Sequence, residues 1–373
     1  MPSNPSGPIR TAVRQDKAER YMLITLLSFG GSVVLIRLFL ELTGYPQLGN
    51  SELHIAHVIW GGLFLFVATL LPLIFANHWA LVWSSIAGGI GFGLFIDEIG
   101  KFLTQSNDYF YPPAAPIIYT LFLITVLVYI HIKRPREATD REELYRVLRG
   151  LTELLDHDLD ATEQAAIRKR TEHILATSKD PQLVGLATAI NEFINSELVE
   201  PAPERKPRWE LKIRGWVRKI EAFVSREKLR RLLVVGLGWV GIYSIIKLVT
   251  LGVFTSAVFS GIDFTPMVQP ADIDIANQPL WFAVRLAVQG LVGMLSMVAV
   301  FMFLIKRDRT AVTLAILGLT ISLSVVNILI FYLDQFSASI GAIAEFILLF
   351  GVFEYRRRFL ITPRTPIDPP VKL

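Results

Sequence analysis

Long apolar runs, each bounded by short polar stretches, set the pattern of this chain. Runs long enough to cross a bilayer fall at about Met22–Leu40, Leu53–Ala76, Trp79–Leu103 and Ala114–Ile132, and again at about Leu232–Val253, Leu280–Ile305, Ala311–Tyr332 and Ser337–Phe353. A charged interval, Lys133 to Arg231, separates the two groups. The pattern predicts an all-α fold: a polytopic helical membrane protein of about eight spans, arranged as two four-helix halves with a cytoplasmic helical insert between them.

Inside the interval the period changes from continuous to amphipathic. Leu144, Val147, Leu148, Leu151, Leu154 and Leu155 recur at helical spacing, as do Leu183, Leu186, Ala187, Ile190, Phe193 and Ile194, with Ala165 to Leu175 between them. Thr139 or Asp140 caps the first helix and Pro181 opens the last, so a small bundle with a polar exterior is expected. Its His157 and His173 have no spaced carboxylates or second histidine beside them and read as surface residues. Pro201, Pro203 and Pro207 then break the chain. Beyond them Trp209, Ile213, Trp216, Val217, Ile220, Phe223 and Val224 form one face of a helix whose other side is basic, which suits a helix over 208–231 lying on anionic lipids. The organisation is then a tail over 1–20, a membrane half over 21–135, the insert over 136–200, the linker and basic helix over 201–231, a second membrane half over 232–358 and a tail over 359–373.

Composition excludes a soluble protein: of 373 residues 52% are hydrophobic and only 19% charged, with a mean hydropathy of +0.47. There are no cysteines, which removes disulfides, thiolate metal sites and a catalytic thiol. The isoelectric point near 9.2 does not point to nucleic acid, because the Lys and Arg residues cluster beside the apolar runs and act as topology signals. Arg10–Arg20, His131–Arg136, Arg205–Arg231, Lys306–Arg309 and Arg356–Arg358 sign their loops as cytoplasmic, whereas Leu42–Leu53, Gln105–Pro113 and Thr255–Pro279 hold no Lys or Arg. Both termini are therefore expected inside a bacterial-type cytoplasmic membrane, the first 20 residues forming a tail rather than a removable signal. A weak parallel repeat also relates the halves, matching Ile36-Arg37-Leu38 to Ile246-Lys247-Leu248, His57 to Arg285 and Gly62 to Gly290. A homo-oligomer is left open.

Ionisable groups inside a bilayer are costly and mark functional sites. The third run, thinned by Gly88, Gly89, Gly91 and Gly93, ends with Asp97, Glu98 and Lys101. Arg37, about fifteen residues into an outward-running helix, lies ~22 Å above its start, in the outer leaflet. His54, His57, Asp97, Glu98 and Lys101 fall at the same level, with Glu41 and Asp108 just beyond and Lys247, Arg285, Gln289, Asn327, Asp334 and Glu345 at similar or deeper levels in the second half. Asp97, four residues before Lys101, is its expected partner, which leaves Glu98 to face Arg37, His57 or a solute. Tyr109-Phe110-Tyr111 before Pro112-Pro113 reads as an interfacial belt, with a lid over the polar cluster as the alternative.

Three functions fit such a cluster. Arg37, His57, Asp97, Glu98, Lys101, Lys247, Arg285 and Glu345 can line the path of a small ion or polar solute in a transporter, channel or sensor, with His57 coupling to protons. His54 and His57 share one helix face, and with Glu98 or Asp97 they can hold zinc or iron in an intramembrane metal-dependent enzyme. A static scaffold of ion pairs is the third reading. No Walker loop, dinucleotide fingerprint, Gly-x-Ser-x-Gly elbow or His-Glu-x-x-His motif is present, and Ser51 lacks an evident catalytic partner.

Overall fold

A computed structural model of the chain describes residues 12–44, 57–134, 136, 138–155, 159–196, 199, 225–259, 279–334 and 339–360, without the side chains of 251–259, 279–282 and 333–334. The regular elements among them are all helical. They are α1 (Ala18–Thr43), α2 (His57–Ile74), α3 (His78–Asp97), α4 (Ile99–Leu103), α5 (Ala114–Lys133), α6 (Asp140–Leu155), α7 (Ala161–Thr177), α8 (Pro181–Ile194), α9 (Arg226–Phe259), α10 (Pro279–Leu304), α11 (Asp308–Ile321), a π-helical turn (Ser322–Val326), α12 (Asn327–Asp334) and α13 (Ser339–Phe359). Seven stretches of these are long and apolar enough to span: Ala18–Thr43, His57–Ile74, His78–Asp97, Ala114–Lys133, Arg226–Thr250, Ala283–Leu304 and Asp308–Tyr332. The protein is a polytopic α-helical membrane protein. The eighth expected span corresponds to α13, which has the length but also carries Glu345, Glu354 and Arg356–Arg358. His54 and His157, residues 208–224 of the basic helix, and both extreme tails lie outside the described residues; Arg226–Arg231 form the first turns of α9.

The described chain divides into two compact units, one from Met1–Val33, Ile59–Gly93 and Thr125–Trp216, the other from Val34–Val58, Leu94–Ile124 and Val217–Leu373. In the first unit α6, α7 and α8 pack together with Val147, Ile174, Ala187 and Ile194 fully buried, whereas Leu148, Leu155, Leu186 and Phe193 of the expected apolar faces are exposed. Thr139 opens α6 by a reciprocal cap: its Oγ1 accepts from the Glu142 N–H at 3.3 Å and the Glu142 carboxylate accepts from the Thr139 N–H at 3.2 Å. The stretch before α1 is docked on these helices. Lys17 lies 3.5 Å from Glu153 and 3.9 Å from Glu163, Asp16 faces Arg146 at 4.0 Å, and Arg14 donates to the Ile132 carbonyl.

Glu163 carries a pH dependence. Burial, together with the field of Glu153, outweighs its bond to the Asp160 N–H and pushes its carboxyl up to about 7. The native state therefore holds this proton more tightly than the unfolded chain does. The stabilisation it contributes is complete below the ordinary glutamate range and is lost as pH rises through about 7. Limited proteolysis of the full-length protein should cut α6–α8 faster at pH 8 than at pH 5.5, and Glu163→Gln should flatten that difference while keeping the cap; an unchanged slope in the variant would refute the assignment.

Also in the first unit, the glycines of α3 set how closely helices approach. A Cβ on Gly89 would sit 2.5 Å from the Thr25 carbonyl oxygen and 2.6 Å from Ser28 Cβ of α1, and one on Gly91 would sit 2.7 Å from the Leu65 backbone nitrogen of α2. These are contacts with backbone, so no side-chain rotation relieves them.

The second unit is built on α9–α13. Leu233, Leu237, Ala299, Phe303, Ala311, Ala315, Leu319, Val352 and Tyr355 form its core. At the arginine-bearing end Asp308 accepts from Tyr355 at 2.6 Å and from Arg226 at 2.7 Å. Near the other end of α11, the start of α5 joins through Tyr119, stacked on Phe331 at 4.5 Å, with Ala115 and Ala342 beside them.

Candidate functional site

The third run does not end as one helix. α3 stops at Asp97, Glu98 sits at φ −91° and ψ 12° outside helical geometry, and α4 begins at Ile99. That break decides the pairing. On an unbroken helix residues 97 and 98 point ~100° apart and Asp97 lies under Lys101; at the break Glu98 becomes the partner of Lys101, with Nζ 2.6 Å from Oε1, and Asp97 turns to α1. The expected Asp97–Lys101 pair is thus corrected.

Asp97 is the hub of the cluster. It is fully buried, and its Oδ1 accepts from Arg37 Nε at 2.5 Å, while Arg37 Nη2 also donates to its backbone oxygen at 3.2 Å. Its Oδ2 faces His57 Nε2 at 3.0 Å and accepts from the Tyr109 hydroxyl at 2.7 Å. Glu98, 1% exposed, faces the other ring nitrogen, His57 Nδ1, at 3.4 Å and accepts from the Val58 N–H at 2.9 Å. The last contact places a carboxylate on the first turn of α2, where the unpaired N–H groups and the helix dipole favour negative charge.

Tyr109 is the member that the sequence pattern alone did not assign to the site. Its ring centre lies 4.2 Å from the Arg37 guanidinium carbon and 5.3 Å from Lys101 Nζ, and it meets His57 edge-on at 6.2 Å. Loop chemistry puts it there: the Asp108 N–H donates to Thr104 Oγ1 at 2.7 Å, the Phe110 N–H donates to Asp108 Oδ1 at 2.9 Å, and Asn107 adopts φ 53°. Gly100 lets the loop lie on α4, since a Cβ there would be 2.7 Å from the Asp108 carbonyl oxygen.

Two anions, Asp97 and Glu98, are balanced by Arg37 and Lys101, so the state of His57 sets the net charge of the group. An imidazolium donates to both carboxylates; a neutral ring donates to one and turns a lone pair toward the other. Of the proposed metal set, His57 and Glu98 are brought together and His54 lies outside the described residues; among the described residues no group of three or more His, Asp or Glu is arranged to hold a metal. Lys247 stands over the Tyr243 ring at 5.7 Å, Arg285 is buried on α10, and Glu345 bonds to Ser322 and Asn327.

Comparison with protein-family models, with curated proteins and with solved structures finds no match to this chain.

Proposed function

We propose that this integral membrane protein moves or senses a small ion or polar solute through the cluster of Arg37, His57, Asp97, Glu98, Lys101 and Tyr109, on the outer side of a cytoplasmic membrane. The observation that carries the reading is the histidine shared by two buried carboxylates, Nε2 to Asp97 and Nδ1 to Glu98. Gaining or losing one proton there changes the charge of a site shielded from water, where electrostatic interactions are strongest. An anionic solute would compete for Arg37 and Lys101, and a cation for Glu98, so binding and the proton on His57 are linked.

Glu98→Gln tests this, because it removes a charge with little change in volume and its amide oxygen still accepts from Val58. Melting temperatures of the purified protein against a panel of ions and polar solutes across pH, with flux in reconstituted vesicles, should show a ligand response in wild type that weakens at least about tenfold in the variant, ~1.4 kcal/mol of binding. A full response in a normally folded Glu98→Gln protein overturns the reading in favour of a static ion-pair scaffold. Stoichiometric zinc or iron lost in a His54→Ala/His57→Ala protein would instead support the intramembrane metal enzyme, for which His57 approaches Asp97 at 3.0 Å and Glu98 at 3.4 Å.

A further inference from the structure

A second intramembrane carboxyl has a different environment. Glu345 on α13 is held by neutral groups: Ser322 Oγ donates to its Oε1 at 2.8 Å and Asn327 Nδ2 to its Oε2 at 3.0 Å. Among the described residues no Lys, Arg or His forms an ion pair with it. It lies ten residues, ~15 Å, along α13 from Tyr355, whose hydroxyl meets Asp308 at the arginine-bearing end of the bundle. That is about halfway through a hydrocarbon core ~30 Å thick.

The geometry is made by the π-helical turn. Ser322 and Asn327 are five residues apart, which on an α-helix would aim them ~140° from one another. In the π turn the Asn327 N–H bonds the Ser322 carbonyl, five residues back, and the two side chains reach the same carboxyl. Single π turns of this kind recur at functional sites. The carbonyl of Leu323, within the turn, is taken by the Tyr119 hydroxyl at 2.7 Å.

The helix facing the turn is polar as well. α10 packs against α11 and the π turn and buries Gln289 and Ser296, whose Oε1 and Oγ find no hydrogen-bond partner among the described residues. Ser296 Oγ lies 3.7 Å from the site of a Cβ on Gly318, one helical turn before Ser322. Buried oxygens in that state are sites for water.

We propose that Glu345, with Ser322 and Asn327, is a proton-binding site inside the membrane. A charged carboxylate at this depth with only neutral donors is costly, and taking a proton from water removes the charge. With the proton on, the carboxyl O–H needs an acceptor, which the Ser322 hydroxyl oxygen supplies by turning its own proton away. The ion-handling reading above is needed only for the use made of this proton; occupancy of Glu345 is tested without it.

Dicyclohexylcarbodiimide reacts with protonated carboxyls in apolar surroundings, and labelling of the full-length protein in membranes can be read at the peptide carrying Glu345 by mass spectrometry. The expected result is labelling at acidic and neutral pH that declines several-fold as pH rises, is unchanged in Glu98→Gln, and persists to higher pH in Asn327→Leu, which removes a donor to the carboxylate. Infrared difference spectra should show a protonated-carboxyl band that Glu345→Gln removes. Labelling that does not depend on pH, or an absent band, overturns the proposal. Protection by sodium at constant pH also overturns it, because the site would then belong to a metal cation.

Discussion

Asp97→Asn lowers the stability of the protein by about 3–5 kcal/mol, the cost of breaking a buried ion pair by removing one partner. Arg37, whose side chain is 11% exposed, loses its ion pair with Asp97, while His57 and the Tyr109 hydroxyl keep donors aimed at an amide with a single acceptor oxygen. Thermal unfolding in detergent measures the loss. Glu192→Gln, on the exposed face of α8, serves as the control and should change little. Adding Arg37→Gln to Asp97→Asn should recover part of the stability, since the two residues form one pair and their effects are coupled. An Asp97→Asn protein that melts with wild type would show that the hub carries no weight, and the charged cluster would have to be reconsidered as a whole.

Gly89→Ala, a single methyl group, should destabilise the protein by an amount at or above the ~1–3 kcal/mol usual for overpacking. The added carbon would stand 2.5 Å from the Thr25 carbonyl oxygen, and only separation of α1 from α3 relieves that. Gly62→Ala provides the contrast. Nothing lies within 4 Å of a Cβ there, so the change should be neutral or should stabilise by about 0.5–1 kcal/mol through the restricted unfolded chain and better helix propensity. Melting temperatures of the two variants should differ in sign or by many degrees. Equal melting temperatures would mean that the two helices are not held at this separation.

What the sequence determined by itself is set by solvent. A lipid interior tolerates only long apolar helices with satisfied backbones, so hydropathy located the spans, the helical insert between them and the level of their polar residues. Arg37, His57, Asp97, Glu98 and Lys101 were legible as a group for that reason: depth follows from counting residues along a helix. Pairing was not legible. It depends on a helix that breaks at Glu98, which exchanges the partners of Asp97 and Glu98, and on a loop that carries Tyr109 back over Arg37. The separate Glu345 group needed a π turn to bring Ser322 and Asn327 to one carboxyl, and a regular 3.6-residue period cannot anticipate it. Local periodicity settles which face and which depth a residue occupies; interruptions of that periodicity, stabilised by contacts distant in the chain, settle what it touches.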